Sequence, residues 1–156
     1  GFQAGAGFMV ELPNQTNENL VDDLRYVKDL EPAMCGIGPF IPHKDTPLRD
    51  CEAGTTEKTV ILLAITRLLL PKVLLPATTA LSSIDAGGRE AGLKAGGNVI
   101  MPNLSPMSVR KKYSLYDNKA YILDEDAEYR KLIEEKINKA GFEVSVYRGD
   151  NLDFEK

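Results

Sequence analysis

The chain has 156 residues, 43% of them apolar and 27% charged, a balance that argues against disorder and fits one globular domain. Its net charge of −4 lacks the basic footprint of a nucleic-acid binder. Its longest apolar run, Val60 to Leu70, is broken by Thr66 and Arg67 and is too short to cross a bilayer.

Neither a nucleic acid nor a membrane is therefore expected as a partner. No charged-then-apolar leader is visible, and a cytoplasmic location is expected. The chain opens Gly1-Phe2-Gln3 without an initiator Met, as a cut piece of a longer protein would. Two cysteines, Cys35 and Cys51, do not make a disulfide scaffold. With the single histidine, His43, their spacing fits no zinc pattern, and the plain reading is a core thiol and a surface loop.

The first half alternates short apolar runs with helical patterns. Gly7 to Val10 reads as a strand, followed by the loop Glu11-Leu12-Pro13-Asn14. Thr16 or Asn17 caps a helix whose Leu20, Leu24 and Val27 share one face, and Pro32 stops it. Met34 to Ile41 is the second strand, with Gly36 and Gly38 inside it. Thr55 or Thr56 caps a strongly apolar helix ended by Pro71; its stripe is wide enough to need cover. Val73 to Ala77 reads as a third strand, ending at Thr78-Thr79. Asp85 is expected to cap a short helix to Ala95, closed by Gly96-Gly97. Asn98 to Met101 reads as a fourth strand. Further on, a helix is expected over about 126–140 with Gly141 as C′, then an edge strand over 142–146; Asn151 to Lys156 should fray.

Strand and helix in alternation imply right-handed crossovers and a parallel sheet. The spacing suits an open doubly wound sheet or half of a (β/α)8 barrel, since a closed barrel takes about 250 residues and eight strands. The informative side chains follow the strands, where parallel α/β folds bind ligands. They are Glu11 and Asn14, Pro39 to Thr46, Thr78 and Thr79, and Asn103 and Ser105. Singly they are ordinary loop residues; on one rim they make a site. No dinucleotide fingerprint opens a helix, and no phosphate loop or nucleophile elbow is present.

Several segments together resemble one family. Gly5-Ala6-Gly7-Phe8-Met9-Val10-Glu11-Leu12-Pro13-Asn14-Gln15-Thr16 looks like the fifth-strand motif of radical S-adenosylmethionine (SAM) barrels of the biotin-synthase type. Gly36-Ile37-Gly38-Pro39-Phe40-Ile41-Pro42-His43-Lys44-Asp45-Thr46-Pro47 looks like their sixth strand. Leu74 to Ala80 and Asn98 to Pro106 look like the seventh and eighth. These last two, with Lys111 to Lys119 and Arg148-Gly149-Asp150, most resemble the HydE family of FeFe-hydrogenase maturases.

The resemblance implies the C-terminal half of a (β/α)8 barrel, strands five to eight, over 1–108, and a closing tail over 109–156. That family holds a 4Fe-4S cluster on a Cys-x3-Cys-x2-Cys loop after its first strand, reduces SAM to a 5′-deoxyadenosyl radical, and helps build the dithiolate bridge of the hydrogenase H-cluster. By resemblance, Met9, Tyr113 and the backbone of Leu115 would contact SAM. Pro39, Phe40 and Ile41 would lie on its adenine side, and Thr78, Thr79, Met101 and Tyr116 would line the substrate cavity.

The departures are specific. The cluster motif is absent from this chain, so no radical chemistry and no bound cofactor are expected of it alone. Glu11 and Asn14 stand where the family usually has glycine, and Glu11 is expected to crowd or repel the cofactor carboxylate. Tyr121, Tyr129 and Leu132 occupy the positions of the auxiliary cluster cysteines of many HydE proteins. The expected partners are a small molecule in the barrel cavity, and either the N-terminal half-barrel or a second copy. In the dimer, strand edges pair and the inward side chains Met34, Ile37, Leu75 and Met101 are covered. The alternative function is a standalone oligomeric binding or assembly protein without radical chemistry.

Overall fold

The computed structural model describes residues 2–102 and 127–152. Its elements are β1 (Gly5–Val10), α1 (Asn17–Leu30), β2 (Met34–Pro39), α2 (Thr56–Leu69), α3 (Thr79–Ile84), α4 (Gly88–Lys94) and α5 (Ala127–Lys139). Tyr113, Leu115, Tyr116, Asn103, Ser105 and the 108/109 boundary lie outside the described residues.

Local chemistry sets the helix ends. The Thr16 hydroxyl accepts from Asn19 N at 3.3 Å, and Thr16 N donates to Asn19 Oδ1 at 2.9 Å, a reciprocal cap. Glu18 in the first turn has its carboxyl held below the ordinary range by its own backbone N–H and then by Thr16. Glu31 ends α1 in the left-handed region at φ 48°, just before Pro32. The Thr55 hydroxyl accepts from Lys58 N and starts α2. Asp85 does not cap the following helix: it closes α3, and Gly87 precedes α4. The sequence reading has one helix from Asp85 to Ala95 and none over 79–84, because the six residues of α3 are too few to show a helical period.

β1 and β2 pair in parallel from Gly5↔Met34 to Val10↔Pro39. The next two strands are reduced to single parallel bridges, Met34↔Leu74 and Pro76↔Val99. Two residues explain this correction. Pro76 has no N–H to give to a ladder. Asn98 accepts the Leu75 N–H with its side-chain oxygen at 2.8 Å, so an amide replaces a backbone partner. The order is nevertheless consecutive and parallel, which leaves the α/β class intact and each chain segment beside its predecessor.

Alternation sorts the sheet into two faces. Val10, Cys35, Ile37 and Leu75 are fully buried with Leu20, Leu24, Val27, Leu62, Leu63 and Leu81 of the helices. Ile37 and Leu75 thus face the helix layer and not the sheet's other face. The tail also departs from expectation. Residues 142–146 form no strand, and Val146 is 92% exposed. Asn151 is not frayed but buried: its Nδ2 donates to Ala33 O and Lys72 O at 2.9 and 3.1 Å, and its N donates to Gln3 Oε1 at 2.8 Å. One residue therefore ties together the starts of the first three strand segments.

Candidate functional site

The site lies on the sheet face turned away from the helices. Its floor is nearly bare of side chains, because β1 offers Gly5 and Gly7 there and β2 offers Gly36 and Gly38. A Cβ on Gly7 would run into the Gly36 carbonyl, so glycine is required at that approach. Nothing stands within 4 Å of a Cβ built on Gly36.

One row crosses this face at the C-terminal ends. Met9 is the register partner of Gly38. A Cβ on Gly38 would stand 3.1 Å from Thr78 Oγ1, which places Thr78 against Gly38 on its other side. Pro76 bridges Val99, and Met101 lies two residues further along the chain. Met9 and Met101 are 51% and 52% exposed. The Thr78 hydroxyl, beside Gly38, is buried and has no hydrogen-bond partner. An unmatched hydroxyl costs about 1–3 kcal/mol unless something satisfies it, and the soft thioether of Met9, across Gly38 from it, suits a polarisable, apolar ligand.

The remaining rim residues fall into different places. Thr79 opens α3, and its hydroxyl accepts from Arg89 Nη2 at 3.2 Å, so that oxygen is engaged by the protein. Pro39 and Phe40 are buried, with Phe40 6% exposed; Phe40 N donates to Val10 O, and Gly54 N donates to Phe40 O. Their side chains fill the protein, and Ile41, half-buried, is the first of the segment to approach the surface. His43 accepts the Asp45 N–H on Nδ1 at 3.1 Å, which shapes its own turn.

Glu11 and Asn14 have φ of 63° and 66°, so both positions where the resemblance implies glycine are left-handed. Glu11 does not reach into the open face as expected. Its carboxylate turns to the start of α2 and accepts from Thr55 N and Thr55 Oγ1 at 2.5 and 2.7 Å. Gln15, which sequence reasoning did not single out, does comparable work. Its amide accepts from Glu11 N at 2.6 Å and donates to Met9 O at 2.9 Å, holding the backbone beside Met9. A Gln five residues past a strand end carries no signal by itself that its amide will fold back.

Metal chemistry has little to work with here. Among the described residues, no three His, Cys, Asp or Glu side chains come together as a metal site. Cys35 is buried in the core, and burial pushes its thiol up to about 11. The described chain does not fit an iron–sulfur cluster. No helix among the described residues is long and apolar enough to cross a membrane.

This parallel α/β arrangement is the fold of a radical SAM barrel protein. The crystal structure of methylornithine synthase (PylB) matches it with a TM-score of 0.71, over 93% of this chain and 41% of that one, at 22% identity. In sequence, 126 residues, 81% of the chain, are 49% identical to the FeFe hydrogenase maturase subunit HydE of Thermotoga maritima, covering 36% of that protein. The chain is also 31% identical over 109 residues to the 3-methylornithine synthase of Methanosarcina acetivorans and 29% identical to that of Methanosarcina barkeri. No protein-family profile matches it. The chain is HydE-like, as its strand motifs indicate, and spans about a third of the length of the curated relatives it matches.

Proposed function

We propose that this chain supplies the C-terminal part of the barrel of a radical SAM maturase resembling HydE, its strands corresponding to strands five to eight. The observation that carries this reading is the row Met9, Gly38 and Thr78, with its unmatched hydroxyl, on a glycine-floored face at the strand ends. Parallel α/β barrels place their chemistry at that end. The cluster would come from the part of the protein bearing Cys-x3-Cys-x2-Cys, and when bound it supplies the electron that cleaves SAM.

The chain's own residues would then bind and orient. Met9, with Ile41 near the adenine side, would flank the cofactor. The Thr78 hydroxyl would donate to a carboxylate or accept from an amine of the substrate, and Met101 would wall the cavity. Thr79, already engaged with Arg89, would position α3 against the rim more than it would touch the ligand. The first partner is the N-terminal part of the barrel. The H-cluster dithiolate bridge is the product that the HydE resemblance suggests.

A second reading, a standalone binding or assembly protein, is favoured by the Asn151 clasp, which ties the sheet's lower edge without a partner. A chimera separates the two. In it, this chain replaces the matching region of Thermotoga maritima HydE, and 5′-deoxyadenosine is measured after reduction. The radical reading expects deoxyadenosine from the cluster-loaded chimera, and at least a ten-fold loss with Thr78→Val. A folded, cluster-loaded chimera that forms none overturns it.

A further inference from the structure

Three of the described helices begin behind a threonine, and one of these threonines withholds its hydroxyl. Thr16 and Thr55 have extended backbones, and each hydroxyl accepts the N–H three residues on, the ordinary N-cap bond. Thr78 precedes α3 in the same extended conformation, at φ −68° and ψ 158°, yet its hydroxyl makes no such bond. Instead it stands buried and unmatched, where a Cβ on Gly38 would come within 3.1 Å of it. A hydroxyl that could cap a helix and does not is held away from the cap by the surrounding fold.

What holds it comes from α4. With six residues, α3 is too short to set its own direction. The following helix packs straight onto it: a Cβ on Gly88 would strike the Leu81 carbonyl, and one on Gly92 would stand 3.1 Å from Leu81 Cδ1 and 3.2 Å from Ala77 Cβ. Half-buried Arg89, between those two glycines in the chain, reaches the first turn of α3 and donates from Nη2 to the Thr79 hydroxyl at 3.2 Å. A guanidinium only donates, so the Thr79 oxygen is the acceptor in this link. The Thr79 carbonyl is held as well, accepting the Ser82 and Ser83 hydroxyls at 2.9 and 3.0 Å. Thr79 is therefore fixed at both its oxygens, and its neighbour Thr78 is left against Gly38.

We propose that Arg89 is a positioning residue of the strand-end site. By holding Thr79 from α4 it fixes the first turn of α3, which keeps the Thr78 hydroxyl off the helix cap and presents it beside Gly38 to the ligand. The ligand's part in this rests on the barrel reading above; the strut from Arg89 to Thr79 rests on the fold alone. Without that link the first turn relaxes and Thr78 reverts to the ordinary cap, exchanging a ligand contact for a helix contact. Arg89 thus acts through Thr79 and Thr78 rather than on the ligand.

A double-mutant cycle on this chain tests the strut, read as urea midpoints of the starting protein, Thr78→Val, Arg89→Met and the double variant. In the starting protein Thr78→Val removes a hydroxyl that caps nothing, so the midpoint is expected to hold or rise. In the Arg89→Met background the same change removes a working cap, and the unfolding equilibrium is expected to shift roughly five-fold toward the unfolded state. Should Arg89→Met not fold, Thr79→Val, which breaks the same link, takes its place in the cycle. In the HydE chimera, Arg89→Met is expected to lower deoxyadenosine formation about ten-fold or more with SAM affinity unchanged. Arg89→Lys, which keeps a donor, is expected to retain most of the activity, and Thr79→Val to add no further loss to Arg89→Met. Additive midpoints in the cycle overturn the proposal, and so does a chimera that loses activity with Thr78→Val and keeps it with Arg89→Met. A folded, loaded chimera without activity overturns the barrel reading instead, and the cycle then decides the strut by itself.

Discussion

The Glu11 carboxylate and the Thr55 N-cap form one unit: both the backbone N–H and the hydroxyl of Thr55 donate to Glu11 Oε2 across 44 residues. The first residue of the β1–α1 loop is therefore locked to the first turn of α2. The negative charge also sits where the helix dipole favours it.

Two effects oppose each other at Glu11, which makes the substitution series informative. Glu11→Ala loses both charge-assisted hydrogen bonds and keeps a side chain at φ 63°, at a cost of about 1–3 kcal/mol. Glu11→Gly loses the same bonds but relieves the left-handed strain, so it should be more stable than the Ala variant by about 1 kcal/mol. Urea unfolding of the three proteins gives the order directly. A Gly variant less stable than the Ala variant would show that the backbone is not strained there.

The buried amide of Asn151 supports a second prediction. Asn151→Ala leaves the carbonyls of Ala33 and Lys72 without that donor, costing about 1–3 kcal/mol, whereas Leu152→Ala, 81% exposed, should stay within about 0.5 kcal/mol. Chemical denaturation midpoints compare the two. Equal effects would mean that the clasp contributes nothing.

These two contacts show where sequence reading stops. Helix caps at Thr16 and Thr55, the Leu20, Leu24 and Val27 face, and the parallel β1–β2 pair were legible because periodicity and capping are local. The third and fourth strands were legible in place but not in extent, since Pro76 and the Asn98 side chain act on the ladder through a neighbouring strand. Thr78 was legible as a strand-end hydroxyl, whereas Met9 and Met101 came from resemblance alone, and the row of Met9, Gly38 and Thr78 depends on register between strands that no single segment encodes. Gln15, Asn151 and the turned-in Glu11 were hidden because each makes contacts specified by tertiary placement.

Cysteine chemistry should divide sharply. With its thiol pushed up to about 11, Cys35 is about 0.1% thiolate at pH 8, and it is also buried. Iodoacetamide in native buffer should therefore label Cys51 at least a hundred-fold faster, read by peptide mass spectrometry. The same shift has a sign for stability. The unfolded thiol ionises near 9 and the folded one near 11, so this contribution is complete below pH 9 and is lost as pH rises toward 11. Labelling of Cys35 as fast as Cys51 would contradict the burial.

Iron gives a fourth test. The chain has two cysteines, fewer than the three thiolates of the family motif, and Cys35 is in the core. Anaerobic reconstitution should leave no stoichiometric 4Fe-4S absorbance after desalting. Absorbance that scales with protein and vanishes in the Cys35→Ser, Cys51→Ser double variant would reverse this.

The central claim is that this chain forms one wall of a cofactor and substrate cavity that another part of the protein completes. Calorimetric titration of SAM into the chain alone, and into its cluster-loaded HydE chimera, tests it most directly. The account predicts no measurable heat for the chain alone and micromolar binding for the chimera, weakened by Met9→Glu. Micromolar binding by the isolated chain, or a folded, loaded chimera that binds no SAM, would contradict it.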